Sequence, residues 1–146
     1  RTPLMAQVLW GSSRMPTQAK AEGRTLGNAL SQSYGLLNNR AAIEFQNKVW
    51  ASKYRYDVFL VALIHDAIYL IMRDDIEVVE WVNRELIKSM QWQELPEIQH
   101  DQVKLGAALD LFWPDWAHPI TLPNDADQNT IKRLCQEAQA ELKQAA

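Results

Sequence analysis

Between residues 58 and 72 the chain reads VFLVALI, then His65-Asp66, then AIYLIM. Each apolar run is strand-length and rich in β-branched and aromatic residues. The polar pair between them therefore predicts two antiparallel strands joined by a tight turn. Such a hairpin lifts one carboxylate, Asp66, onto the rim of a sheet, where the strands fix its geometry and the turn leaves it open to solvent and substrate. An acid so placed suits a metal ligand. The same position also suits a turn former, because an aspartate side chain can bond nearby backbone N–H groups. This motif alone leaves both readings open.

The surrounding chain bounds the answer. With 146 residues, 47% of them hydrophobic, there is material for one sizeable core and no call for a second domain. The apolar runs fall well short of the roughly 18 residues that a membrane-spanning helix needs, so no membrane partner is expected. No basic segment leads into a short apolar core and cleavage site. The chain opens on Arg1, which reads as a piece of a longer protein. A single cysteine, Cys135, forbids an internal disulfide and fits a reducing, cytoplasmic setting. Charge is divided along the chain. Residues 1–56 hold eight basic and two acidic groups, net +6, while the remaining 90 hold seven and 16, net −9. A positive amino-terminal part suits a polyanion such as nucleic acid, although solvated helix faces give the same asymmetry.

Periodicity and punctuation give an α+β plan. Residues 1–18 read as an extended or hairpin entry. Residues 19–54 lack proline and space Leu26, Leu30, Leu37 and Ile43 helically, predicting one long helix with Gly35 as its candidate break. That helix is expected to pack on an antiparallel sheet containing the hairpin. Asp74 and Asp75 precede a second apolar-periodic run from Ile76 and read as its amino-terminal cap, with Pro96 ending the element. A strand is expected over residues 102–111, then a Trp/Pro-rich segment over 112–123. The alanine-rich stretch from 127 to 146 reads as a terminal helix forming a surface extension.

Within the long helix, Arg24, Asn28 and Gln32 recur at i, i+4 and i+8. Each step advances about 400°, so the three form one polar stripe roughly 12 Å long. Small residues surround it (Gly23, Gly27, Ser31, Ser33 and Gly35) and permit close approach of another backbone or a duplex. Arg, Asn and Gln can all donate to the acceptors of the DNA minor groove, whose code is too degenerate to identify a base. The stripe can thus hold a duplex without reading its sequence. An ordinary solvated helix face is the alternative, weighed against glycines that cost roughly 1 kcal/mol each inside a helix.

Taken in order, the segment Arg24-Thr-Leu-Gly-Asn28-Ala-Leu-Ser-Gln32-Ser-Tyr-Gly35 and the later Leu63-Ile64-His65-Asp66 resemble the carboxy-terminal palm of family A DNA polymerases, most of all those of tailed bacteriophages. Leu105-Gly106 and Trp116-Ala117-His118 are similar to the segment that closes this palm. The resemblance covers roughly residues 1–118 and leaves 119–146 as a carboxy-terminal extension. It implies that Asp66 is the motif C aspartate that helps hold two catalytic Mg²⁺ ions, and that His65 lies beside the primer terminus. It also implies that Asn28 and Gln32 touch the minor groove at the newest base pairs and that Arg24 faces the primer-template. Hard Mg²⁺ prefers carboxylate oxygens, in keeping with these residue types. One position departs from the family: Ala67 stands where a glutamate usually follows His-Asp.

The family's other metal-binding aspartate and its fingers lysine and tyrosine find no counterpart in the chain and are expected upstream of Arg1. The resemblance therefore implies a template-directed DNA polymerase that adds deoxynucleoside triphosphates to a primer 3′-end, of which this chain is an inactive part. Two other readings accompany it. One is a non-enzymatic α+β module binding duplex DNA through the Arg24/Asn28/Gln32 stripe. The other is an interaction domain using its six tryptophans, Trp113 and Trp116 above all, although burial is the commoner fate of such residues.

Overall fold

A computed structural model of the chain describes residues 16–91 and 106–145, apart from the side chains of residues 16–22, 30, 33, 34 and 145. In order these form α1 (Pro16–Ala51), β1 (Val58–Ile64), β2 (Ala67–Met72), α2 (Ile76–Gln91), β3 (Leu109–Phe112), β4 (Pro119–Leu122) and α3 (Gln128–Ala145). Among the described residues β1 pairs with β2 and β3 with β4, giving two separate two-stranded antiparallel sheets. The class is mixed α+β. No helix among the described residues is long and apolar enough to cross a membrane.

α1 runs unbroken for 36 residues, about 54 Å at 1.5 Å per residue. It starts three residues earlier than expected, because Pro16 occupies the first turn, where a missing N–H costs no helical bond. It also passes through Gly35, since an isolated glycine weakens a helix by only about 1 kcal/mol. At its end, Ser52 N donates to Val49 O at 3.1 Å, and the Ser52 hydroxyl donates to the same carbonyl at 2.8 Å. α1 does pack on β1 and β2 of the hairpin, as expected, but its main neighbour is α2. The buried residues of α1 gather in its carboxy-terminal half, where Phe45 and Val49 join Val78, Val79, Val82 and Leu86 in one core. Phe45 meets Trp81 at a ring distance of 6.0 Å, and Lys48 pairs with Glu85 at 3.6 Å.

The first hairpin forms as expected. Its register runs from Val58 opposite Met72 to Ile64 opposite Ala67, with a bulge in β1 between Leu60 and Ala62. Val58, Ile68, Leu70 and Met72 turn toward the core, whereas Leu63, Ile64, His65 and Asp66 are exposed. α2 follows with the cap that the sequence predicts: Asp75 Oδ1 accepts from Glu77 N at 2.9 Å, and Val79 N donates to Asp75 O at 3.0 Å.

The carboxy-terminal third departs most from expectation. The strand expected over 102–111 is seen at Leu109–Phe112, with 101–105 and Pro96 outside the described residues. The Trp/Pro-rich segment contains a strand, β4, in register with β3 from Leu109 opposite Leu122 to Phe112 opposite Pro119. Pro119 does not prevent it, because the first residue of a strand tolerates a missing donor. The helix expected over 127–146 forms as α3, but it is not a surface extension: Ile131 belongs to the main core with Leu134 and Cys135 packed on it, and Leu122 and Ala126 just before the helix share that core. The spacing of Ile131, Leu134, Cys135, Ala138 and Leu142 puts an apolar stripe on one side of α3. Asp127 caps this helix, its Oδ1 accepting from Thr130 N at 2.8 Å, and Asn83 donates to Pro123 O at 2.8 Å. A division between 118 and 119 would cut through the second hairpin. The entry read over 1–18 lies outside the described residues except at 16–18, which are helical.

Candidate active site

The loop joining β1 to β2 is two residues long, His65 and Asp66. His65 has φ 56° and is the one non-glycine with positive φ among the described residues. A two-residue hairpin loop needs this sign to match the twist of its strands, and glycine is the residue that usually supplies it. A histidine there keeps an imidazole on the apex at the cost of backbone strain.

Asp66 is exposed beside it. Among the described residues its carboxylate has no hydrogen-bond or ion-pair partner, which sets it apart from the aspartates that hold up local structure. Asp75 and Asp127 cap helices. Asp57 binds Arg73 at 3.0 Å, Asp110 accepts from Thr121 at 2.6 Å, and Asp115 accepts from Ala117 N at 2.8 Å. The turn-forming role open to Asp66 in the sequence, a side-chain bond to nearby backbone N–H groups, is not made.

The base of the hairpin is fastened. Arg73 N donates to Asp57 O at 2.8 Å, and the Arg73 guanidinium bridges Asp57 at 3.0 Å and Asp75 at 3.2 Å. One turn along, Glu77 Oε1 accepts from Lys53 Nζ at 2.6 Å and from Tyr54 hydroxyl at 2.7 Å. Those two donors hold the Glu77 carboxyl below its ordinary pKa, and the Glu77 carboxylate in turn raises that of Lys53. The clamp ties both ends of the hairpin to the start of α2. From there β1 reaches about 23 Å, at roughly 3.3 Å per residue, to the His65-Asp66 apex.

Arg24, Asn28 and Gln32 are all exposed on the amino-terminal half of α1, at the spacing that makes them one stripe. A Cβ built at Gly23, Gly27 or Gly35 meets no atom within 4 Å, so packing inside the described structure does not require glycine at any of them. Among the described residues no hydrogen bond or ion pair joins this stripe to the hairpin apex. Nor, among the described residues, does any group of three or more His, Cys, Asp or Glu come together.

Sequence reasoning did not find the aromatic ladder beside the hairpin. Tyr69 of β2 stacks on Trp116 at 5.3 Å and 21°, and Trp116 stacks on Phe112 at 5.4 Å and 16°. Trp113 and Trp116, for which the sequence left both an interface role and burial open, are exposed. The only available signal was the clustering of aromatics at 112, 113 and 116, which does not say what they face. Comparison of the chain with protein-family models, curated proteins and solved structures gives no match.

Proposed function

We propose that this chain is the palm portion of a family A DNA polymerase and that Asp66 is one of its metal-binding carboxylates. The observation that carries the reading is the Asp66 carboxylate itself, raised on the apex of a clamped hairpin and without a local structural partner among the described residues. A carboxylate that caps and pairs with nothing among the described residues, on a hairpin clamped at its base, has the properties of an electrostatic group awaiting a ligand. The order of Arg24, Asn28, Gln32, His65 and Asp66 along the chain supports the same assignment through the family resemblance.

In this reading Asp66 offers hard oxygen donors suited to Mg²⁺. When bound, two such ions stabilise charge on the attacking 3′-oxygen and the departing pyrophosphate. A second acid must come from upstream in the parent chain, and the isolated 146 residues are inactive. His65 borders the primer end. Asn28 and Gln32 donate to minor-groove acceptors, which correct base pairs present at near-equivalent positions and mismatches displace. Arg24 contributes charge toward the phosphates of the primer-template.

Asp66→Asn in the longer parent tests the reading. Size is kept and charge is lost, so nucleotide incorporation should collapse while folding and primer-template binding persist. Near-normal incorporation by this variant would remove Asp66 from the site. Duplex binding with no metal-dependent activity in the unsubstituted parent would favour the non-enzymatic module, with the α1 stripe as its contact surface.

A further inference from the structure

The two hairpins share no hydrogen-bonded strand pair, yet a ring contact joins them at a telling place. The bulge in β1 falls between Leu60 and Ala62, and the residue opposite Ala62 is Tyr69. A bulge interrupts the ladder and lets a strand bend. The outer part of the hairpin, exposed from Leu63 to Asp66, therefore has its weak point at the level of Tyr69. Trp116 stacks on Tyr69 at that level.

The loop presenting Trp116 is braced as a support would be. Trp113 N donates to His118 O and His118 N to Asp115 O, each at 3.2 Å. Asp115 Oδ1 accepts from Ala117 N at 2.8 Å and lies 2.7 Å from His118 Nδ1. Phe112 backs the indole from β3. Trp116 nevertheless remains 69% exposed, so burial does not explain an indole there; its ring contacts do. Tyr69 lies three residues from Asp66, about 10 Å along the strand.

We propose that Trp116 is a positioning residue: stacked on Tyr69 opposite the bulge, it fixes the direction of the outer hairpin and with it the place of the Asp66 carboxylate. The bracing stands on the ring geometry and the bulge. Its consequence for catalysis rests on the function proposed for Asp66.

Two measurements separate these parts. In the full 146-residue chain, hydrogen exchange is followed at the backbone amides of residues 62–69, with amides of α2 around Val82 as control. Trp116→Ala and Trp116→Leu should speed exchange in the hairpin by about threefold to tenfold, the range expected for loss of an aromatic pair, and leave α2 unchanged. Trp116→Phe, which keeps a stacking ring, should restore protection where leucine does not. In the longer parent, the alanine and leucine variants should lower kcat for nucleotide incorporation by a similar factor with the KM for nucleotide nearly unchanged, again restored by phenylalanine. Unchanged hairpin exchange in both Trp116→Ala and Trp116→Leu overturns the brace. Faster exchange with unaltered kcat overturns its role in placing Asp66. A parent with no incorporation activity overturns the polymerase reading alone, because the exchange result still establishes the brace.

Discussion

Replacing His65 by glycine should make the fold more stable and, on the proposed polymerase reading, nucleotide incorporation by the longer parent worse. His65 holds φ at 56°, a left-handed backbone that costs an L-residue about 1–2 kcal/mol. Glycine removes this cost but gives back about 0.5–1 kcal/mol through the greater freedom of its unfolded chain. The imidazole is exposed and has no partner among the described residues, so no contact is lost. The balance is a gain of about 0.5–1 kcal/mol. It reaches global stability because the hairpin is anchored in the main core through Val58. For a chain of this size the gain corresponds to roughly 1–4 °C in Tm. Urea denaturation should show a higher midpoint with an unchanged slope. His65→Ala is the control: it deletes the imidazole, keeps the strain and should leave the midpoint near that of the parent sequence. A glycine variant less stable than the histidine chain by about 0.5 kcal/mol or more, the size of glycine's own entropic penalty, would refute backbone strain at His65. In the longer parent, loss of incorporation by both variants would show that the imidazole serves function rather than fold.

Gln32→Ala and Asn28→Ala in the parent should slow extension of primer ends and alter discrimination against terminal mismatches. Extension kinetics on matched and mismatched primers indistinguishable from the parent would make the stripe a solvated face. Ile131→Ala should cost about 2–4 kcal/mol in denaturant unfolding, because Ile131 is 1% exposed within the main core; a loss under about 0.5 kcal/mol, the usual range for surface sites, would return α3 to a surface extension.

What could be read from the sequence follows from how local each signal is. The hairpin at 58–72 was legible because strand length, β-branching and a two-residue break all lie within 15 residues, and so was the Asp75 cap. The long helix was legible in extent, but Gly35 is a weaker breaker than its type suggests, because packing at Phe45 and Val49 anchors the helix on the far side of it. β4 was hidden because a four-residue strand that opens on a proline carries too little periodicity to announce itself. α3 was legible as a helix but not as part of the core: its polar and alanine-rich majority masks a narrow apolar stripe, and only tertiary contact reveals that Ile131 fills the core. Of the candidate site, Asp66 and the α1 stripe could be named from residue type and spacing. Whether Asp66 bonds its own turn depends on the turn geometry, which residue type leaves open, while what clamps the hairpin base and what Trp116 faces depend on atoms distant in sequence.

The place of α3 in the core also sets a timetable. Val78, Val82 and Leu86 leave the ribosome with α2, but Leu122 and Ile131, which share their cluster, are made later. About 40 residues separate the end of α2 from Ile131, and synthesis at about 5–20 residues per second takes roughly 2–8 s to cover them. During that interval the apolar side of α2 waits in water without its last neighbours. Nascent chains halted before residue 122 should therefore be held by chaperones and cut by proteases, and those released after α3 has emerged should resist both.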